Sequence, residues 1–176
     1  NHIAGVNIWE SDGYGVQLGI GGRGLDPNRT NNFNTRQNGY DMSADNLGYP
    51  DAYYSPPAEL LHKIEIVRGA ASLQYGTQFG GMINFVLKKA KEDKPAEVVL
   101  RNTIGSFGFW NTTAMVSEQK GNVSYLIFTQ KKEANGWRPN SDFKQYTNHF
   151  NIQYRATPKL TLSTEYTFMN YLAHQP

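Results

Sequence analysis

Four histidines, His2, His62, His149 and His174, are the residues of this chain best suited to hold a metal, and they are scattered along it. None has a partner four residues away or any other zinc-ligand spacing. Cysteine is absent. That removes disulfide frameworks, Cys-ligated metals and Cys nucleophiles together. No G-x-S-x-G elbow occurs. The Asp and Glu residues, 15 in all, are numerous enough to pair by chance, and no spacing selects a glycosidase pair. Gly19, Gly21 and Gly24 satisfy G-x-G-x-x-G. A phosphate-binding version needs a helix to begin there, whereas loop-like LDPNRTNNF follows. Nothing positive points to an enzyme, and no cofactor or protein-ligated metal is expected.

Charge excludes a second class. The formal balance is +2, which implies no polyanion partner. Lys88, Lys89, Lys91 and Lys94 form a basic run, but Glu92 and Asp93 interrupt it. A solvated linker fits better than a nucleic-acid patch. Arg23 and Arg68 each precede a glycine after a β-type run. They are either two surface arginines or two interfacial cations that need carboxylate partners, because an unpaired buried charge is costly. The residues alone leave both open.

The elements that carry these residues are β-strands and turns. Eleven Tyr, nine Phe, three Trp and 17 Gly make the chain β- and turn-rich. No segment approaches the ~20 apolar residues of a spanning helix, but barrel strands need only roughly 9–11 of alternating character. Val16, Leu18 and Ile20 alternate onto one face. Phe33–Arg36 leads into Asn38-Gly39, a tight-turn signal because both residues tolerate positive φ. Pro56-Pro57 precede Ala58-Glu59-Leu60-Leu61, expected as one helical turn. Two β-type runs follow, Ile64–Val67 and Met82–Leu87, joined through Gly76, Gly80 and Gly81.

Residues 88–96, KKAKEDKPA, break the pattern. After them the period is two. Val123, Tyr125, Ile127 and Thr129 share one face; Ser124, Leu126, Phe128 and Gln130 share the other. Five strands are expected near 97–104, 109–118, 122–131, 146–155 and 159–169. Tight turns at Lys120–Asn122 and Ala156–Pro158 alternate with a longer loop from Glu133 to Lys144. Outer-membrane barrels have this asymmetry. A soluble antiparallel sandwich with one wet face fits the periodicity equally. No signal peptide is visible at Asn1; the chain is expected to start inside one domain and to stop inside a barrel.

Ordered motifs decide between these. Gly22-Arg23-Gly24, the strand–turn–strand FNTRQNGYDM, Ile64-Glu65 with Arg68-Gly69, ASLQYG at 71–76 and Gly80-Gly81-Met82-Ile83-Asn84 resemble the plug domain of TonB-dependent outer-membrane receptors. Asn38 stands where the family carries Asp. The wording of the loops is most similar to ferric-dicitrate-type siderophore receptors, in particular those of Bacteroidetes. The implied fold is mainly β: the C-terminal part of a small α+β plug (1–90), a linker (91–96) and the first ~5 antiparallel strands of a transmembrane barrel (97–176). In this family the plug sits inside a barrel of about 22 strands.

The resemblance implies further expectations. The protein imports a ferric chelate or siderophore across the outer membrane of a Gram-negative bacterium. TonB acts from the periplasmic side and outer-membrane lipid surrounds the barrel. Arg23 and Arg68 lock plug to barrel through glutamates that lie beyond Pro176. Substrate contacts fall on loops: Asn28, Arg29 and Asn32; Tyr49, Asp51, Tyr53 and Tyr54; Trp137 and Arg138. Arginines grip anions by charge-assisted hydrogen bonds, and tyrosines offer rigid amphipathic surface. The competing expectation is a soluble β-rich module that recognises carbohydrate.

Overall fold

The computed structural model describes residues 4–10, 18–22, 24–43, 52–69, 74–76, 78–91 and 94–174. The chain divides into two compact units, Asn1–Leu87 and Lys88–Pro176. The division falls at the first residue of the charged stretch KKAKEDKPA.

The first unit holds two small sheets. Strands β1 (Val6–Glu10) and β2 (Leu18–Gly22) form an antiparallel pair. Strands β3 (Phe33–Gln37), β4 (Tyr40–Asp41), β5 (Leu61–Arg68) and β6 (Gly81–Leu87) form a sheet in the order β4-β3-β6-β5. Strand β6 is central, parallel to β3 and antiparallel to β5. Its apolar run GMINFVL suits that place, since a strand paired on both edges and covered on its faces cannot carry an alternating polar side. Ile20, Phe33, Ile83 and Phe85 form the core, with Val6, Met42, Leu61 and Ile66 packed on it.

Two turn expectations met different outcomes. Asn38 (φ 49°) and Gly39 (φ 87°) both take the left-handed conformation, as a two-residue hairpin of this hand demands. The helical turn expected over 58–61 is a single 3-10 turn, Ala58–Leu60. Leu61 is already extended (ψ 135°) and opens β5. Leu60 is fully buried, so packing of that one side chain fixes the turn and nothing propagates it.

The second unit is one antiparallel meander. Strands β7 (Glu97–Ile104), β8 (Trp110–Lys120), β9 (Val123–Ala134), β10 (Phe143–Thr157) and β11 (Leu160–Ala173) pair in chain order. The last four are longer than expected, above all at the long-loop rim. Lys132–Ala134 and Phe143–Gln145 continue the ladder although they lie outside the expected strands. Backbone pairing carries them there without a hydrophobic pattern. Connections at one rim are two residues, 121–122 and 158–159; at the other they are residues 105–109 and 135–142.

Register separates the two faces of this sheet. One carries the rows Met115, Phe128, His149, Thr167 and Thr113, Gln130, Thr147, Met169. On this face Asn111, Thr113, Ser117, Gln130, Gln145, Thr147, His149 and Asn151 are all buried. The opposite face carries the row Val98, Val116, Ile127, Phe150, Tyr166. There Leu100 is 76% exposed, Tyr166 60%, Leu162 56% and Ile127 48%. Beside Met115, Leu126 and Phe128 the first face buries amides and hydroxyls, while aliphatic and aromatic side chains face outward on the other. A sheet wet on one face has the reverse polarity; a barrel wall in lipid has this one.

Candidate functional site

The first candidate loop is built by local hydrogen bonds. Asp26 Oδ1 accepts the Asn28 backbone N–H (2.9 Å), starting the 3-10 turn Asn28–Thr30. Thr30 Oγ1 accepts the Ile20 N–H (3.1 Å) and so ties the turn to β2. Asn32 Nδ2 donates to the Asp26 carbonyl and to Asn31 Oδ1, both 2.9 Å. The Asn32 amide therefore shapes the loop. Asn28 is exposed and available. Arg29 is the middle residue of the turn; its side chain lies outside what is described.

Of the second group, Tyr53 and Tyr54 are half-buried. Tyr49 and Asp51 lie outside the described residues, as does Arg23. Arg68 ends β5, is exposed, and donates from Nη1 to the Ala4 carbonyl at 3.2 Å. Trp137 and Arg138 occupy the long loop between β9 and β10. The guanidinium lies 4.0 Å from the indole centroid, a cation–π stack in which Trp137 stays 60% exposed. Ser141 holds the loop by accepting the Arg138 N–H (3.1 Å) and donating to its carbonyl (2.7 Å). This pair is a preformed apolar-plus-cationic surface. The structure thus groups Asn28 with Asn32 and stacks Trp137 on Arg138; these two groups belong to different units.

Two networks were not singled out from sequence. Arg36 donates to Asn34 Oδ1 (2.6 Å), the Gly39 carbonyl (2.6 Å) and the Tyr75 carbonyl (2.9 Å), and lies 5.2 Å from the Tyr75 ring centroid. Buried Asn34 passes a bond to Asp41 Oδ2 (2.9 Å), whose other oxygen accepts from the Ser43 N–H and hydroxyl. The alternation of Phe33–Gln37 places Asn34 and Arg36 on one face, and that was the available signal. The second network explains two motif letters. Asn84 Nδ2 donates to Glu65 Oε2 (2.9 Å) while its Oδ1 accepts the Gly39 N–H (2.9 Å). Asn38 Oδ1 accepts the Leu87 N–H (2.8 Å), so Asn performs here the acceptor role open to Asp.

Both networks hold carboxylates below their ordinary range. For Asp41, burial pushes the pKa up, but the hydrogen bonds from Ser43 and Asn34 and the Arg36 charge outweigh it. For Glu65, the hydrogen bond from Lys63 (2.6 Å) and then that from Asn84 lower it. Groups with a lowered folded-state pKa contribute stability that is complete above the unfolded values, 3.8 and 4.5 here, and is lost as pH falls through the folded ones. Protection of the Gly39 amide, its exchange rate corrected for the intrinsic pH dependence, is therefore expected to fall below pH ~4 and to stay constant from pH 6 to 8. A loss of that protection starting near neutrality would contradict this.

Among the described residues no group of three or more His, Asp or Glu could hold a metal ion. His149 is buried with Nδ1 2.8 Å from Thr167 Oγ1, and His174 pairs with Asp142 at 3.0 Å. No described helix is long and apolar enough to cross a membrane, which says nothing of strands.

Comparison with known proteins agrees with this architecture. Residues 1–82 match the family model described as TonB-dependent Receptor Plug Domain. No curated protein sequence matches the chain. Among solved structures, the ferric citrate transporter FecA in its unliganded form superposes with a TM-score of 0.82 at 21% identity, over 100% of this chain and 28% of that one. The pyoverdine outer membrane receptor FpvA from Pseudomonas aeruginosa PAO1 gives 0.72 at 16% identity, over 95% of this chain and 24% of that one. The copper transporter OprC gives 0.71 at 16% identity, over 97% and 27%. The chain thus spans about a quarter of the receptors it resembles. Residues 1–82 match a TonB-dependent receptor plug domain, and the chain has the fold of the plug and first barrel strands of such receptors.

Proposed function

We propose that this chain is part of a receptor that binds an anionic ferric chelate at the outer face of the outer membrane and imports it, energised through TonB. The observation that carries the reading is the polarity of the second unit: exposed Leu100, Ile127, Leu162 and Tyr166 on one face, buried Thr113, Gln130 and Thr147 on the other. Joined to a plug domain, such a wall belongs to a gated membrane pore. Short turns mark its periplasmic rim and long loops its outer rim. The stacked Trp137–Arg138 pair then stands on the outer side, where it would meet cargo. Arg23 and Arg68 are proposed as the plug's lock, each paired to a barrel glutamate; the coupling energy between Arg68 and such a partner measures it.

Cargo identity rests on the loops, because ferric citrate, pyoverdine and copper proteins share this fold. Asn28, Arg29, Tyr49, Asp51, Tyr53, Tyr54, Trp137 and Arg138 are the proposed contacts, with Asn32 holding the first loop. Ferric citrate is expected to bind the full-length receptor in detergent, quenching tryptophan fluorescence. Arg138→Ala is expected to weaken binding about tenfold, the loss of one charge-assisted bond. Failure of ferric citrate and other ferric chelates to bind would remove iron from the reading and leave the receptor class standing.

A further inference from the structure

The short-turn rim of the barrel sheet holds a cleft of ≈ 280 Å³ that none of the roles above uses. It lies wholly within the second unit, between the strand ends and the incoming chain at Lys89. Gln119, Ser124 and Gln153 line it and are register partners across β8, β9 and β10. Arg155 and its partner Thr161 line it one row further toward the rim. By strand alternation Gln153 shares the polar face of His149 and Asn151.

Several features give this place a construction of its own. The β10–β11 register shifts between Arg155 and Thr157. Such a bulge re-aims side chains, and bulges concentrate at barrel rims and beside sites. The Arg155 N–H is held by the Asn122 carbonyl at 2.9 Å, which fixes the bulged strand to the neighbouring turn. Two cationic side chains, Lys89 and Arg155, both exposed, meet three amides and hydroxyls in one row. No described carboxylate lines the cleft. Cations with amide and hydroxyl donors are the chemistry that binds oxyanions. The volume is at the low end for small-molecule sites, with room for one compact ligand.

We infer that this cleft is an exit-side subsite for a polycarboxylate cargo. It rests on the proposed transport of an anionic chelate: the cleft lies on the polar face, at the rim by which such cargo would leave. Lys89 and Arg155 take its carboxylates while Gln119, Ser124 and Gln153 offer the remaining donors. Cargo admitted from the outer loops is received there before release.

The test uses the full-length receptor, freed of any cysteine elsewhere, with an environment-sensitive label at Lys159→Cys. Cysteine is absent from this segment, so the label is unique within it. Lys159 lies in the 158–159 turn beside the cleft but does not line it. Citrate and ferric citrate are expected to give a saturable response, weakened at least about tenfold in the Lys89→Gln/Arg155→Gln double variant. Preserved tryptophan quenching by ferric citrate in that variant shows that it is folded. The inference is overturned by no saturable response in the unsubstituted receptor, by an equal response in the double variant, or by a response to inorganic phosphate and not to citrate. A citrate response at the rim with no tryptophan quenching by any ferric chelate leaves the cleft standing and removes the iron reading.

Discussion

Arginine in place of Ile127 is expected to destabilise the folded barrel by about 2–4 kcal/mol, the depth-dependent cost of a cation on a lipid face near the bilayer middle. Ile127 sits in the outward row Val98, Val116, Ile127, Phe150, Tyr166 and is 48% exposed. On a soluble sheet an exposed isoleucine is an ordinary surface residue, and a charge there changes stability by less than about 0.5 kcal/mol. The same substitution therefore separates two readings of one sheet. Refolding of the full-length receptor into lipid vesicles, followed by urea titration, measures it. Val123→Arg, on the same face at the short-turn end of β9, is expected to cost less, because the penalty falls toward the interface. Equal and negligible effects at both positions would return the sheet to water and remove the transporter.

This sidedness was the part least legible in the sequence. Alternation at Val123–Gln130 gave the strand but not its orientation, because both faces carry apolar residues: Tyr125 and Ile127 on one, Leu126 and Phe128 on the other. Register resolves it, for Leu126 and Phe128 are rowed with Asn151 and His149, whereas Ile127 is rowed with Val116 and Phe150. Local chemistry was legible where it acts locally. Asn38-Gly39 declared its turn because only residues tolerant of positive φ fit there. Phe143–Gln145 did not declare its strand, because a ladder above the apolar band needs no apolar pattern. Contacts distant in sequence were silent. Arg36 reaches Tyr75, 39 residues on, and Glu65 reaches Asn84, 19 residues on. Asn32 donates from its side-chain amide to the Asp26 carbonyl, six residues back, a bond that its place in the polar loop did not announce.

Gly81→Ala is expected to destabilise the plug by about 2–5 kcal/mol, since two penalties meet at one atom. Its φ of +138° lies in the region open essentially to glycine, and this strain costs about 1–3 kcal/mol. The added Cβ would come 2.5 Å from the Val67 carbonyl oxygen and 2.9 Å from Phe33 Cε1. Val67 is backbone in the paired strand β5 and Phe33 is a core residue 1% exposed, so neither can yield cheaply. Gly81 is also paired on both sides, to Phe33 in β3 and Arg68 in β5, and any retreat breaks a ladder. Gly39→Ala supplies the control. Its φ is +87°, but nothing lies within 4 Å of the added Cβ, so only the conformational cost of about 1–2 kcal/mol applies. Hydrogen exchange of the β6 amides in the full-length receptor reads both variants. Loss of protection in Gly81→Ala well beyond that in Gly39→Ala is the expected order. If the two lose protection equally, close packing at the glycine pair is not what the motif preserves. The stretch from Glu65 to Asn84 would then owe its sequence to the Glu65–Asn84 bond and to the proposed lock at Arg68.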